Sequence, residues 1–190
     1  GVPSNPARVT EKKGSFPGPQ PPSPDNEKLL TANAGDLCAS CHAKTKEMAK
    51  TSKVNHMPAA EGDCVSCHSP HGSNVKGILK DRMDRGCYGC HSDAETSFVK
   101  TYTHQPVREA NCTACHQPHG STEKNLLKAS DAKLCASCHG ELMKVGEGTK
   151  AGEGGKPGEG GSNHVPFAEG MCLTCHNPHA SNVKGMAMDK

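Results

Sequence analysis

The chain has very little from which to build a hydrophobic core. It contains no Trp, two Tyr and three Phe. Leu, Ile, Val and Phe together number 23 of 190 residues, about 12%, which is below the level at which a globular chain usually folds unaided. Material other than apolar side chains must therefore supply the interior of the folded protein.

Two further absences exclude whole classes of function. No run of 18 apolar residues occurs, so no transmembrane helix is expected. The formal net charge is only +2, and the Lys and Arg residues are scattered rather than grouped, so nucleic-acid binding is not expected. What the chain does have in quantity is 12 Cys and 12 His.

The Cys and His residues are arranged in three tandem repeats. A Pro-rich, extended leader at 1–28 precedes repeats at 29–77, 78–125 and 126–190. Each repeat contains a Cys-x-x-Cys-His motif, then His-x-Pro, then a second motif that continues into x-Pro-His. The third repeat is longer because it contains a Gly-rich insertion at 146–161, which we expect to be a flexible surface segment.

The six Cys-x-x-Cys-His motifs indicate covalent attachment of c-type haem. In this motif the two thiols add to the haem vinyl groups and the adjacent imidazole binds the iron. The motifs use every cysteine of the chain: Cys38, Cys41, Cys64, Cys67, Cys87, Cys90, Cys112, Cys115, Cys135, Cys138, Cys172 and Cys175. The proximal iron ligands are then His42, His68, His91, His116, His139 and His176. We therefore predict six haem c groups as cofactors.

Three other uses of paired cysteines explain the sequence less well. Zinc sites need a second cysteine pair at a fixed offset and have no use for a His after every second Cys. Disulfides or a thioredoxin-like redox pair would need a strand–helix–strand setting, which the sequence lacks. Iron–sulfur clusters take four thiolates each and leave the histidines unexplained.

The remaining histidines match the irons in number. They are His56, His71, His104, His119, His164 and His179, which occupy the same two places in each repeat. Met is the rival distal ligand, but the seven Met residues share no position among the repeats. We therefore predict a distal His for every haem iron.

The spacing favours pairing of distal histidines with haems inside each repeat. His71 follows His68 by three residues, which is too close to reach the opposite face of the same haem. We expect His71 to serve the Cys38 haem and His56 to serve the Cys64 haem. The same logic assigns His119 to the Cys87 haem, His104 to the Cys112 haem, His179 to the Cys135 haem and His164 to the Cys172 haem. Pairing across repeats or between subunits stays open.

Local sequence predicts short helices and little else. Ala, Lys, Glu and Met favour helices at 43–53 and 93–102, and we expect the His-x-Pro after each to end it. Strand signals are weak throughout. We predict a mostly irregular fold with short α-helices and minimal β structure, elongated along its three two-haem repeats and wrapped around stacked haems.

The sequence Cys-x-x-Cys-His-x-Pro-His-Gly at 64–72 and again at 112–120 resembles the doubled-motif family of multihaem c-type cytochromes. The resemblance extends over residues 29–185, although Ala180 replaces the Gly in the last repeat. That family includes periplasmic electron donors to respiratory reductases and the cytochrome cores of outer-membrane conduits. The chain is also similar in kind to filament-forming extracellular cytochromes, in which distal ligands are sometimes lent between subunits.

We expect an electron carrier rather than an enzyme, because an iron with two imidazole ligands has no open position for substrate. One hypothesis is a subunit of an extracellular or cell-surface filament, whose partners are other copies of the chain. The alternative is a periplasmic shuttle or outer-membrane conduit cytochrome that meets other redox proteins. An oxyanion reductase with one open-site haem is the enzymatic alternative.

Overall fold

The computed structural model describes residues 30–144 and 164–189. By its internal contacts the chain divides into two compact units, Gly1–Ala32 and Asn33–Lys190. The predicted leader at 1–28 and the Gly-rich insertion at 146–161 lie outside the described residues. Every element discussed below belongs to the second unit.

Short helices account for most of the regular structure. The helices are α1 Ala34–Cys41, α2 Ala43–Thr51, α3 Met57–Glu61, α4 Met83–Tyr88, α5 Ser92–Phe98, α6 Gln105–Arg108, α7 Asp131–Lys144 and α8 Val165–Ala168. The strands are β1 Tyr102–Thr103 and β2 Ala180–Ser181. Single 3-10 turns lie at Cys64–Ser66, Lys76–Ile78, Cys112–Ala114, Lys124–Leu126, Cys172–Thr174 and Lys184–Met186. The expectation of short helices, irregular segments and minimal β structure is confirmed.

Helix ends follow local sequence, with one departure from expectation. Asn33 caps α1, its side-chain oxygen accepting a hydrogen bond from the backbone N–H of Asp36 at 2.9 Å. Helix α2 lies within the predicted range 43–53, and α5 overlaps the predicted range 93–102 but begins one residue earlier. The two helices stop at Thr51 and Phe98, before His-x-Pro is reached. His-x-Pro instead begins α3, α6 and α8, because a proline in the first turn has no N–H to leave unpaired.

The β contacts join neighbouring repeats. Strands β1 and β2 are antiparallel, with Tyr102 of the second repeat opposite Ser181 of the third. One repeat earlier, Val54 forms an antiparallel bridge to Ser121 through N–H···O bonds of 2.8 and 2.9 Å. Val54 and Ser121 correspond in the repeats to Tyr102 and Ser181. The same docking contact therefore occurs twice, once at each junction between repeats.

Almost no apolar side chain is buried in the part of the chain that the structure describes. Ala49 and Ala180 are the buried apolar residues, and Ser121 and Ser181 are the buried polar ones. No helix within these ranges has the length and apolar character that a bilayer crossing requires. The side chains themselves do not fill an interior, in keeping with a fold built around bound groups.

Candidate haem-binding site

The six motifs, numbered sites 1 to 6 in chain order, are each closed into a single turn. In the even sites, the second of each repeat, the first cysteine begins a 3-10 turn. The backbone N–H of His68 donates to the carbonyl of Cys64 at 3.0 Å, and sites 4 and 6 repeat this bond. In the odd sites the first cysteine lies on a helix, and the second lies on the same helix at sites 1 and 5 and in the turn after α4 at site 3. The backbone N–H of His42 donates to the carbonyl of Cys38 at 2.9 Å.

Each even-site histidine ring is held by a backbone carbonyl nine residues further on. The Nδ1 atom donates at 2.8 Å from His68 to Gly77, at 2.9 Å from His116 to Asn125 and at 2.9 Å from His176 to Gly185. All three accepting residues have positive φ, a conformation that Gly and Asn tolerate best. Because Nδ1 donates, the lone pair of Nε2 is available to a metal.

The odd-site histidines share one backbone conformation. The φ values are −104° at His42, −107° at His91 and −105° at His139. In each case this residue interrupts helical geometry directly after the second cysteine of the motif. The repetition indicates that the three odd sites present their thiols and imidazole in the same way.

The first cysteines of the two motifs in a repeat lie against each other. The thiols of Cys38, Cys112 and Cys172 lie close enough to Cys64, Cys87 and Cys135, respectively, to perturb the pKa of each. Burial raises the pKa of Cys64 and of Cys135, the latter to about 11, and the adjoining thiols raise both further. None of the 12 cysteines is in a disulfide. The two attachment points of a repeat are therefore adjacent and chemically available.

Eight of the twelve histidines form four pairs of nearly parallel rings. The ring centres are 6.1 Å apart for His68 and His119, 6.3 Å for His91 and His56, 6.0 Å for His116 and His179, and 6.1 Å for His139 and His104. The angles between ring planes lie between 12° and 26°. Each pair joins one motif histidine to one of the histidines predicted as distal ligands.

This spacing fits an iron between the two rings. A metal–imidazole bond is about 2 Å long and the ring nitrogen lies about 1.1 Å from the ring centre, which puts opposed ligands about 6 Å apart. Within the described ranges, no three His, Cys, Asp or Glu side chains converge as a metal-binding cluster. Opposed imidazoles in isolated pairs suit a metal whose other four ligands come from a macrocycle. The donor set therefore fits haem.

The pairs differ from those expected from sequence spacing. That spacing assigned His56 to site 2 and His119 to site 3. The structure instead places His56 opposite His91 of site 3, and His119 opposite His68 of site 2. The same exchange puts His104 at site 5 and His179 at site 4. Within-repeat facing of the rings is therefore not observed at these four sites, because docking brings together histidines of neighbouring repeats.

A backbone contact fixes the distal histidines at each junction. The Nδ1 atom of His56 donates to the carbonyl of Pro118 at 2.8 Å, and His104 does the same to Pro178 at 3.0 Å. Each proline belongs to the next repeat and directly precedes the other distal histidine of the junction. One contact therefore positions both distal rings and leaves Nε2 of His56 and of His104 available for the iron.

Burial affects the rings of the other two paired histidines that were predicted as distal ligands. His119 and His179 are half-buried, and desolvation lowers the pKa of both imidazoles. Repulsion from the facing His68 and His116 lowers each pKa further. A neutral imidazole is the form that binds a metal, so this environment favours the ligating state.

Four histidines remain, two in the first repeat and two in the third. His42, His71 and His176 are exposed and take part in no stacked ring pair within the described ranges. The pairing expected at site 1, between His71 and His42, is therefore not formed there. His164 is the residue directly before α8.

The family profile described as the doubled CXXCH motif matches residues 20–47, 56–96, 104–144 and 164–190, well over half of the chain. The chain belongs to the doubled CXXCH family of multihaem c-type cytochromes. The matched segments of this doubled CXXCH cytochrome contain all six motifs and all six additional histidines.

Part of the doubled CXXCH cytochrome is also similar to a curated relative, the multiheme cytochrome MtrA of Shewanella baltica (strain OS185). The two sequences are 37% identical over 59 residues, which is 30% of this chain and 18% of that protein. The match therefore spans a small part of the relative's length. Together with the family assignment, it supports electron transfer by covalently bound haem c.

Sequence reasoning missed the carbonyl groups that hold the even-site rings of this doubled CXXCH cytochrome. They belong to Gly77, Asn125 and Gly185. A signal for them was present, because a Gly or Asn stands nine residues after each even-site histidine. The repeated Ser-Asn-Val-Lys-Gly tail at 73–77 and 181–185 is the sequence of this supporting loop.

Proposed function

We propose that this doubled CXXCH cytochrome is a subunit of an extracellular filament that carries electrons along six bis-histidine c-type haems. The observation that carries the proposal is the offset of the imidazole pairs by one repeat. Sites 2 to 5 each face a distal ring from an adjacent repeat. Repeats linked in this way form a series that further repeats can extend.

The ligand pairs favour a carrier over an enzyme. When bound, haem supplies reversible one-electron chemistry at its iron. The cysteine thiols of the chain would attach it, and the paired imidazoles would bind the iron at sites 2 to 5. Iron bound by two imidazoles would have no open position for substrate, and such ligation favours a lower potential than His/Met ligation.

The order of the sites suits a relay. Within each repeat the first cysteines of the two motifs lie close together, as described above. Between repeats, the pKa of Cys115 in site 4 is raised by burial and then by Cys138 of site 5. The pKa of Cys87 in site 3 is raised first by the neighbouring thiol of Cys112, and also by Cys67 of site 2. Sites that follow one another in sequence are therefore neighbours in space.

The relay is tested on the mature full chain by haem content and chemistry. We expect six haems per chain by mass spectrometry, and a redox titration in which all six titrate at potentials typical of bis-histidine ligation. We also expect no turnover of nitrite or sulfite by the reduced protein above the buffer control. Fewer than six haems would contradict the count, and sustained turnover would favour the reductase.

The filament is tested by negative-stain electron microscopy of the same preparation over a range of salt and protein concentrations. We expect unbranched fibres. If only small particles form under all conditions, the filament is contradicted. The second candidate, a periplasmic shuttle or conduit cytochrome with redox-protein partners, is favoured by the exposure of His42 and His176 at the end sites.

A further inference from the structure

Two aromatic side chains of the second repeat pack at the distal histidine of site 4. The ring of Phe98 is stacked on that of His179, with the ring centres 4.3 Å apart and the planes at 24°. Tyr88, which follows the first cysteine of site 3, meets the Phe98 ring edge-on at 6.3 Å and 64°. The same His179 ring lies opposite His116, the motif histidine of site 4. The chain has only two Tyr and three Phe, so two of its five rings meet at one haem site.

Backbone contacts between the second and third repeats bring these rings together. Phe98 is the last residue of α5, and its carbonyl accepts a hydrogen bond from the Thr103 hydroxyl at 3.3 Å. Thr103 lies in β1 opposite Ala180 of β2, and His179 directly precedes that strand. Phe98 is half-buried, whereas Val99 beside it is 81% exposed. The strand pairing that docks the two repeats therefore also holds the Phe98 ring against the His179 ring.

Site 2, the counterpart of site 4 in the first repeat, has no such rings. Seven residues after the odd-site motif histidine stands Phe98 in the second repeat and Ala49 in the first. Directly after the first cysteine of the odd site stands Tyr88 in the second repeat and Ala39 in the first. Within the described ranges, the only ring that pairs with the site 2 distal histidine is the motif histidine of that site. The two sites therefore differ in the aromatic cover over the distal ring.

Site 4 is also the more enclosed of the two sites. Its second cysteine, Cys115, is half-buried, whereas Cys67 of site 2 is exposed. The ring planes of His116 and His179 are 12° apart, compared with 22° to 26° in the other three pairs. A ring stacked on His179 restricts the rotation of that imidazole, which agrees with the smallest of the four angles.

We propose that Phe98 is a positioning residue for electron transfer. It fixes the orientation of the site 4 distal imidazole and raises the reduction potential of the haem there above that of the haem at site 2. With two neutral imidazole ligands, the oxidised iron carries one more positive charge than the reduced iron. Apolar cover that excludes water disfavours the more charged form and so favours reduction. The inference rests on the proposed relay and gives it a step in potential at site 4.

Redox titration of the haem-loaded full chain tests the predicted order of potentials, with haem content checked by mass spectrometry. Haem attachment is removed at site 4 through Cys112→Ala and Cys115→Ala, and at site 2 through Cys64→Ala and Cys67→Ala. The component lost with site 4 should have a higher potential than the component lost with site 2. The opposite order, or equal potentials, would overturn the proposal.

Replacement of Phe98 tests the cause of that order. In Phe98→Ala we expect the reduction equilibrium constant of one haem to fall by about threefold, or about 30 mV, since a tenfold change corresponds to about 59 mV for one electron. Removal of site 4 attachment should abolish this difference from the unsubstituted residue, and removal of site 2 attachment should preserve it. Val99→Ala is the matched control, because this neighbouring side chain is 81% exposed and its loss should change no potential.

Ring orientation gives an independent spectroscopic readout. The electron paramagnetic resonance of a ferric haem with two imidazole ligands depends on the angle between the ring planes. In Phe98→Ala we expect the signal of one haem to broaden, because His179 can then adopt a range of orientations. Phe98→Tyr keeps the stacked ring and should retain both the potential and the signal. Tyr88→Ala should change both in the same direction as Phe98→Ala but by less, because Tyr88 meets only the edge of the Phe98 ring.

A role in packing alone would give a different result. If Phe98→Ala lowers the melting temperature but leaves all potentials and the resonance signal unchanged, the proposal is overturned. A change that survives removal of site 4 attachment would overturn it as well. Should Phe98→Ala fail to accumulate, Phe98→Leu keeps apolar volume without a flat ring. It should still broaden the signal of one haem, and an unchanged signal would count decisively against the proposal.

Replacement of His179 distinguishes failure of this inference from failure of the proposed relay. The bis-histidine relay requires His179→Ala to open one haem, so that carbon monoxide binding to the reduced protein rises by about one sixth of total haem. If it does so while Phe98→Ala changes neither the potential nor the signal, the relay stands and only the inference fails. If carbon monoxide binding does not rise, His179 is not a distal ligand, and the bis-histidine assignment fails together with the inference.

Discussion

Replacement of His119 distinguishes ligation between repeats from ligation within them. The structure places this ring 6.1 Å from His68 of site 2. Spacing in the sequence had assigned it to site 3, whose motif histidine faces His56 at 6.3 Å instead. In His119→Ala one iron of six should therefore lose its distal ligand, and that iron should be at site 2.

The expected signal is one additional open haem. Carbon monoxide binding to the reduced protein should rise by about one sixth of total haem above that of the unsubstituted protein at the same concentration. Removing haem attachment at site 2, through Cys64→Ala and Cys67→Ala in the His119→Ala background, should abolish the added signal. The matched control removes attachment at site 3, through Cys87→Ala and Cys90→Ala, and should preserve it.

The reverse pattern would refute the assignment. If the added signal survives removal of site 2 and disappears on removal of site 3, His119 serves the haem of its own repeat. Should His119→Ala fail to accumulate, His119→Met in the same two attachment-deleted backgrounds tests the same point while keeping a ligand. One haem should shift to higher potential when site 3 is removed but not when site 2 is removed, since His/Met ligation raises the potential relative to bis-histidine ligation.

Three further outcomes follow from packing, charge and composition. In dilute solution, Gly120→Ala should have a free energy of unfolding about 1–3 kcal/mol lower than that of the control Gly72→Ala. A Cβ at position 120 meets the carbonyl oxygen of Met48, whereas a Cβ at position 72 meets nothing within 4 Å. Equal melting temperatures for the two variants would contradict this. The Lys100 ammonium lowers the pKa of the Asp189 carboxyl from its ordinary 3.8. The ion pair therefore stabilises the folded protein above that pH, and this stabilisation is lost as the pH falls through the lowered pKa. The melting-temperature advantage over Asp189→Asn should therefore shrink in acid, and a constant advantage would count against the ion pair. Finally, the haem-free chain should show no cooperative thermal transition by circular dichroism, because so few apolar side chains are buried.

Secondary structure was predictable in kind but not at its boundaries. Local propensity located α2 and α5, since their sequences favour helix without tertiary support. The role of His-x-Pro was only half predictable. Proline disfavours helical geometry in the residue before it, so a helix must end there. The same proline fits a first turn, and whether a new helix starts depends on where the chain goes next.

The backbone carbonyls that accept hydrogen bonds from the histidine rings were also predictable only in part. The Nδ1 bond from His68 to Gly77 spans nine residues and is marked by a recurring Gly or Asn, so a sequence search could have found it. The bond from His56 to Pro118 spans 62 residues and joins two repeats. No local pattern encodes it, because it forms only when the extended segments dock.

The sequence by itself determined the family and the kind of cofactor. It could do so because haem attachment is encoded in five contiguous residues whose chemistry does not depend on the rest of the fold. Only the tertiary structure decided which histidine faces which. That choice depends on backbone pairing such as Val54 with Ser121, between segments far apart in the chain. Docking between repeats brings His56, His104, His119 and His179 opposite motif histidines of a neighbouring repeat, and spacing along the chain contains no measure of that displacement.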